Sequence, residues 1–409
     1  MNKKIVMAYS GGLNSTVSLA WLKENFDCDV VALCADVGQA VDWKSVKKRA
    51  MAAGASACHV VDVKKELVEQ FFWHALKAGA VYENNYLPGT AAVHMLIAET
   101  LVEFAKTEKA DGVAYGAENN GNSHVRLALG IIELAPELEL FIPWNMWKIK
   151  NRKDLLRYAA RKNLPITEKK KETYITDSSI LHFSHEGLDL DDPGREPQYK
   201  KILSMTVSPE KAPNRAEYIE IEFDKGIPIS LNGKKMDSVN LIKELNKIGG
   251  ANGIGITDMV ENQIFGIKNR SVFEIPAVSL LSFAHHELER ICLDSQTNTY
   301  KKQVSLKMGE LIYNGFWFTP LREALSAFVD VTQIIISGKV KLKLYKGAIL
   351  PAGASSPYSM IMIVPLEKPE KKTGARKAPA AENKKPAAAK AKLGKKPGKK
   401  TGRKTINKK

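Results

Sequence analysis

Lys4-Ile5-Val6-Met7-Ala8-Tyr9-Ser10-Gly11-Gly12-Leu13-Asn14-Ser15-Thr16 joins an apolar run to a double-glycine turn and then to a helical pattern running from Thr16 to Lys23. The run predicts a strand over Lys4–Tyr9. Two glycines let the chain turn tightly and bring its N–H groups close to a ligand. The hydroxyls of Ser10, Ser15 and Thr16 add donors, and a helix N-terminus adds partial positive charge. Together they form a cradle for an anion such as pyrophosphate. The turn lacks the lysine of a P-loop and the third glycine of a dinucleotide fingerprint, so neither motif applies. On pattern alone, a plain strand-to-helix turn stays open as the competing reading.

Moving outward, strands are expected at Val30–Ala35, Cys58–Val63 and Gly112–Gly116. Helices are expected from Asp42, a capping residue, to Ala53, then over Lys64–Lys77 and Ala91–Lys106. Strands regularly separated by helices predict right-handed crossovers and a parallel sheet covered on both faces, an α/β fold. Ligands of such sheets sit beyond the carboxyl ends of strands. Tyr9–Gly12, Asp36 and Gly116–Gly121 all fall at such ends. From about Tyr174 the pattern changes to strands such as Tyr218–Phe223 and Lys339–Lys346 mixed with helices such as Val239–Lys247 and Phe283–Asp294, a separate α+β unit. The aromatic cluster Phe71-Phe72-Trp73 reads as helix-to-sheet packing, and His285-His286 as structural. His182-x-x-His185-Glu186 reads as a polar loop rather than a metal site.

The chain has 409 residues and a formal charge of +16, yet that charge is unevenly placed. Residues 367–409 hold 17 of the 61 Lys+Arg and 3 of the 45 Asp+Glu, leaving 44 against 42 in the body. The body is nearly neutral, and the basicity is a tail rich in Lys, Ala, Pro and Gly without aromatic residues. Such a segment is expected to be disordered, either a solubilising extension or a loose, salt-sensitive contact to a polyanion. At about 150 residues per domain the length suggests two or three domains: 1–168, 169–365 and the tail 366–409. No run of about 18 apolar residues is present, so no membrane-spanning helix is expected, and the N-terminus does not read as a signal peptide. Cys28, Cys34, Cys58 and Cys292 lack CxxC spacing, which fits free thiols and a cytoplasmic location.

The opening loop resembles the SGGxDS pyrophosphate loop of the N-type ATP pyrophosphatases, and the chain to about Ser359 resembles the argininosuccinate synthase family. The resemblance rests on Ala8–Leu13, Ala35–Gln39, Tyr82-Glu83, Tyr86, Gly89-Thr90, Gly121-Asn122, Val125-Arg126 and Pro143-Trp144. It continues through Tyr218–Phe223, Gly249-Gly250, Gly253–Gly255, Val260–Asn262, Gly266–Lys268, Ala284-His285, Tyr313, Gly315, Trp317, Pro320, Arg322-Glu323 and Leu342–Gly347. It implies a nucleotide alpha hydrolase-like domain followed by a synthetase domain, and a ligase of arginine biosynthesis. Such an enzyme adenylates the ureido oxygen of citrulline with ATP, and the amine of aspartate then displaces AMP. ATP, Mg²⁺, amino-acid substrates and a homotetramer follow from the same resemblance.

Carried over residue by residue, the ATP site is Ala8, Tyr9, Ser10, Gly11, Gly12, Leu13, Asn14, Ser15, Thr16, Ala35 and Gly116. The citrulline site is Tyr86, Asn122, Arg126, Ser184 and Glu261, where Arg126 suits a carboxylate and Glu261 an ammonium. The aspartate site is Thr90, Glu118, Asn122 and Ser123. This chain departs from the family pattern at Asn14 (an acidic residue in the pattern), Glu118 (threonine), Ser123 (aspartate), Ile175 (serine, with Thr176 beside it as a substitute) and Phe273 (tyrosine). Asn85 and His94 stand in place of two arginines. Glu118 brings like charges together if an acidic substrate arrives there, unless a cation intervenes. The alternatives to the citrulline–aspartate ligase are a relative with another amine partner and an impaired one acting as a binding protein.

Overall fold

Buried β-branched and aliphatic runs separated by helices assemble into a five-stranded parallel sheet in this computed structural model, which describes residues 3–83, 86–87, 89–119, 121–166 and 174–362. Its strands are β1 (Lys3–Ala8), β2 (Cys28–Asp36), β3 (Ala57–Asp62), β4 (Gly112–Tyr115) and β5 (Glu139–Phe141), ordered β3-β2-β1-β4-β5. Side chains alternate across β1, so Ile5 and Met7 pack with Leu19, Leu22, Val46 and Ala50 on one face. Val6 packs with Leu101, Val102, Leu127 and Ile131 on the other. Both faces are therefore dry, which is why the central strand is apolar throughout. The chain leaves β1 toward β2 and β3, then returns to β4 on the opposite side. The crevice between β1 and β4 is thus the sheet's switch point.

The loop helix starts at Leu13, earlier than its sequence pattern, because extended Gly12 ends the turn there, and it runs to Asn25. Asp42 caps the Trp43–Ala52 helix through the Lys44 and Ser45 amides, as expected. The segment expected as one helix after Lys64 contains a wide π-type turn at Leu67–Phe72. Phe71 stacks on Trp317, in the turn before Pro320, with centroids 4.8 Å apart, and the aromatic cluster shares one core with helix and strand residues. The Asn122–Leu134 helix and β5 have no counterpart in the sequence reading.

Beyond residue 174 the strands are β6 (Ile175–Ser178), β7 (Phe183–Glu186), β8 (Glu217–Asp224), β9 (Ile227–Leu231), β10 (Lys234–Lys235), β11 (Ile256–Asn262), β12 (Lys268–Glu274), β13 (Gly338–Tyr345) and β14 (Ala348–Ser355). They form two antiparallel sheets, β10-β9-β8-β13-β14 and β11-β12-β7-β6. Ile219, Ile221 and Phe223 alternate with glutamates, and Val340, Leu342 and Leu344 with lysines, so one face of the first sheet is core. Residues 1–361 form one compact unit, whereas the basic tail lies outside the described residues. Among the described residues no helix is long and apolar enough to cross a membrane.

His285 is structural, its Nε2 2.8 Å from Gln333 in a buried network with Glu289 and Lys301. His182 and His185 diverge: His182 Nδ1 meets Ser179 Oγ at 2.9 Å, and His185 Nε2 meets Glu274 Oε1 at 3.0 Å. Glu274 is fully buried and accepts the amides of Ser204, Met205 and Thr206 and the Thr206 hydroxyl at 2.7–3.0 Å. Burial alone would raise its carboxyl, but the His185, Thr206 and Ser204 hydrogen bonds outweigh burial and hold it below the ordinary glutamate value. Glu274→Ala strips those donors of their acceptor and is expected to cost about 3–5 kcal/mol in urea unfolding at pH 7. Because the folded value is depressed, the wild-type advantage is complete above about pH 4.3 and shrinks as pH falls through the folded value. An unchanged midpoint would show that the loop 204–206 stands without this carboxylate.

Candidate active site

Two helix N-termini flank the switch point, and both lack a side-chain cap. Asp42, Asn151, Asp237 and Asp294 each occupy the first amides of their helices with a side-chain oxygen. Gly12 and Gly121, opening the helices Leu13–Asn25 and Asn122–Leu134, do not, and neither first turn carries an acidic residue. Unsatisfied amides and the positive end of the helix dipole then face the crevice, a natural seat for phosphate. Gly11 sits at φ +75°, where a side chain would also meet Val46 and Arg49 at 3.0–3.1 Å. Gly116 is tighter still: a Cβ there would lie 2.9 Å from Ser15 Cα. The Trp144 indole N–H donates to its carbonyl at 3.1 Å.

The loop is braced from within. Tyr9 N–H donates to the Leu33 carbonyl, and its phenol meets Thr16 Oγ1 at 2.9 Å. Ser10 and Ser15 hydroxyls lie 3.2 Å apart. Asn14 Nδ2 donates to Glu118 Oε1 at 3.0 Å, so two of the substituted positions touch each other. Ala35 closes β2, and its carbonyl accepts Gln39 Nε2 at 2.8 Å.

On the other side of the Gly121 turn, Arg126 is buried, donates through Nε to the Tyr313 carbonyl at 2.6 Å, and lies 4.6 Å from the Tyr313 ring centre. Its Nη2 is buried with no partner among the described residues. The Tyr313 phenol donates to Glu261 Oε2 at 2.7 Å and accepts Asn122 Nδ2 at 3.0 Å. Burial raises the Glu261 carboxyl above its ordinary value, against the pull of Tyr313 and Arg126. Tyr86 sets its ring edge-on to both Tyr313 (5.3 Å) and Phe273 (5.4 Å). Thus Tyr86, Asn122, Arg126 and Glu261 converge, joined by Tyr313. Sequence reasoning quoted Tyr313 as part of the family pattern but gave it no role; the spacing Tyr313-x-Gly315 beside the buried arginine was its only sequence signal.

Ser184 turns instead toward the Asp177 carbonyl, at 3.5 Å. Thr90 Oγ1 and His94 Nδ1 are buried without partners among the described residues. Burial and then Arg126 push His94 down to about 4, so it is neutral at physiological pH. Ser123 lies in the first turn of the Asn122 helix. Ile175 lies 70% exposed on edge strand β6. Successive strand residues face opposite sides, so Thr176 does not stand in for a hydroxyl on the Ile175 face. Asn85 lies outside the described residues. Among the described residues no group of three or more His, Cys, Asp or Glu is arranged to hold a metal by itself.

The arginosuccinate synthase N-terminal HUP domain matches residues 4–165, and the arginosuccinate synthase C-terminal domain matches residues 174–366. The chain belongs to the argininosuccinate synthase family. It is 49% identical over 362 residues to the argininosuccinate synthase of Clostridium botulinum, covering 88% of this chain and 89% of that one. The argininosuccinate synthases of Acetivibrio thermocellus (51% over 358 residues, 88% of each chain) and Desulforamulus reducens (50% over 357 residues, 87% and 89%) are similar to the same extent. Argininosuccinate synthases are carbon–nitrogen ligases that split ATP into AMP and pyrophosphate. Similarity at this level over most of the chain favours a ligase over an impaired binding protein or a different amine partner.

Asn14→Asp would set a second carboxylate beside Glu118 and the phosphate seat, and is expected to raise KM for ATP about tenfold. Adding Glu118→Thr should recover most of that loss, since contacting positions couple by about 0.5–3 kcal/mol. Additive effects in steady-state kinetics would mean the two side chains are independent in solution.

Proposed function

We propose that the chain condenses citrulline with aspartate at the switch point of its parallel sheet, a step of arginine biosynthesis. The ureido oxygen of citrulline attacks the α-phosphorus of ATP, and pyrophosphate leaves. The aspartate amine then attacks the activated ureido carbon; AMP departs with that oxygen, and the amine's proton is released. No covalent enzyme nucleophile is needed, so the protein contributes placement and charge stabilisation. One observation carries the reading: a buried guanidinium, with one edge unpartnered among the described residues, is bonded to the Tyr313 backbone carbonyl, and a buried carboxylate to the Tyr313 phenol, on and beside the helix that opens at the uncapped Gly121 turn. These groups match the carboxylate and ammonium of an amino acid.

In this reading Ala8–Thr16, Ala35 and Gly116 hold ATP; Tyr86, Asn122, Arg126, Ser184 and Glu261 hold citrulline; and Thr90, Glu118, Asn122 and Ser123 face aspartate. Mg²⁺ would be carried on the ATP phosphates and, when bound, would supply neutralisation of their charge as pyrophosphate is formed. The domain division 1–168, 169–365 and 366–409 is part of the same proposal. A homotetramer is supported by edge strand β14 and the exposed Leu350, Tyr358, Met360, Ile361 and Met362 at its end of the chain. A cytoplasmic location is supported by four free cysteines. The Lys-rich tail suits weak, salt-sensitive polyanion contact.

Incubation with ATP and Mg²⁺ should yield AMP only when citrulline and aspartate are both present. AMP formation without either amino acid, or none with both, overturns the assignment. Arg126→Gln is expected to raise KM for citrulline at least a hundredfold, about 3 kcal/mol, with KM for ATP within a factor of three.

A further inference from the structure

Tyr313 is fully buried and makes every tie that joins the two charged ends of the amino-acid site. The direction of its hydrogen bonds is dictated from one end. The Ile264 backbone N–H can only donate, and it donates to Asn122 Oδ1 at 3.0 Å. That fixes the Asn122 amide with Nδ2 toward the phenol, 3.0 Å away. The phenol oxygen therefore accepts from Asn122, and its proton has one place to go, Glu261 Oε2 at 2.7 Å. Burial, and then the charge of Glu261, raises the phenol far above the ordinary tyrosine value, so the proton stays on Tyr313 across the working pH range. At the same residue the backbone carbonyl takes Arg126 Nε, which leaves Nη2 of the guanidinium buried and free. Two further contacts hold Tyr313 itself. Tyr82 stacks on its ring at 3.7 Å with planes 6° apart, and the chain then turns at Gly315, φ +88°, where a Cβ would lie 3.0 Å from Arg126 Cα.

We propose that Tyr313 is the positioning residue of the first amino-acid subsite: its phenol and its own carbonyl aim Glu261 and Arg126 and leave a carboxylate oxygen and the outer edge of the guanidinium for the substrate. The inference rests on the citrulline reading given above and names the residue that sets its geometry and its pH dependence. Glu261 must be ionised to take the substrate ammonium; burial opposes ionisation, as do the charges of Glu186 and Glu83, while Arg126 favours it. The phenol donor works against that opposition, so it extends binding to lower pH.

The test uses the full-length chain. Wild-type enzyme is first assayed for AMP formation that requires citrulline; its absence overturns the functional reading before Tyr313 is at issue. Given that activity, Tyr313→Phe is expected to raise KM for citrulline about tenfold, with kcat and KM for ATP within threefold. The acid limb of kcat/KM for citrulline should move up by about one pH unit. Parallel losses in KM for ATP and for citrulline, or an unmoved acid limb, overturn the proposal, since a merely structural tyrosine would act on both substrates or on neither. Should the phenylalanine variant fail to fold, 3-fluorotyrosine at position 313 keeps the shape and strengthens the donor. Its acid limb is expected to move down, opposite to the phenylalanine shift, and an unmoved limb with fluorotyrosine overturns the proposal.

Discussion

The molecule turns on how closely two loops approach across the β1–β4 crevice. Gly116 lies so near the Ser15 backbone that a methyl group there would collide with it. That contact brings the end of β4 against the first turn of the Leu13–Asn25 helix, and Asn14 of that turn reaches Glu118, three residues before the uncapped turn at Gly121. Each turn alone is a modest anion seat. In the function proposed above, the two turns serve one crevice, so that a nucleotide phosphate and an amino-acid substrate are held together, as in-line attack on phosphorus requires.

Charge is handled differently in the two halves of the site. Around the glycine loop the polar groups are backbone amides and hydroxyls, and the carboxylate of Glu118 is engaged by Asn14. Around Arg126 and Glu261 two formal charges are buried, and each spends part of its bonding capacity on Tyr313. A buried charge with a free edge is costly in the empty protein. It is tolerated where a ligand of opposite charge completes it, whereas the buried carboxylates Glu274 and Glu289, away from this region, are met by several donors each.

Much of this was legible in the chain. The apolar run before Ser10-Gly11-Gly12, the capping Asp42 and the strand–helix alternation specify a parallel sheet with its loop at the carboxyl edge, because periodicity and turn chemistry are local properties. Tyr86, Asn122, Arg126 and Glu261 were reached through the resemblance to the argininosuccinate synthase family, position by position. The Asn122–Leu134 helix escaped notice, since its start is a glycine without a side-chain cap, and the π-type turn at Leu67–Phe72 has no composition of its own.

Local sequence thus determined the class of fold and the glycine loop at the carboxyl edge of its sheet, and the family resemblance supplied the residues proposed for an amino-acid ligand. Tertiary structure alone decided that Tyr313, 187 residues from Arg126 and 52 from Glu261, binds both, and that Asn14 meets Glu118 across 104 residues. It also decided that Thr176 faces away from Ile175. Hydrogen-bond direction and the side of a strand that meets a partner depend on which distant segments pack together, and no short-range pattern carries that information.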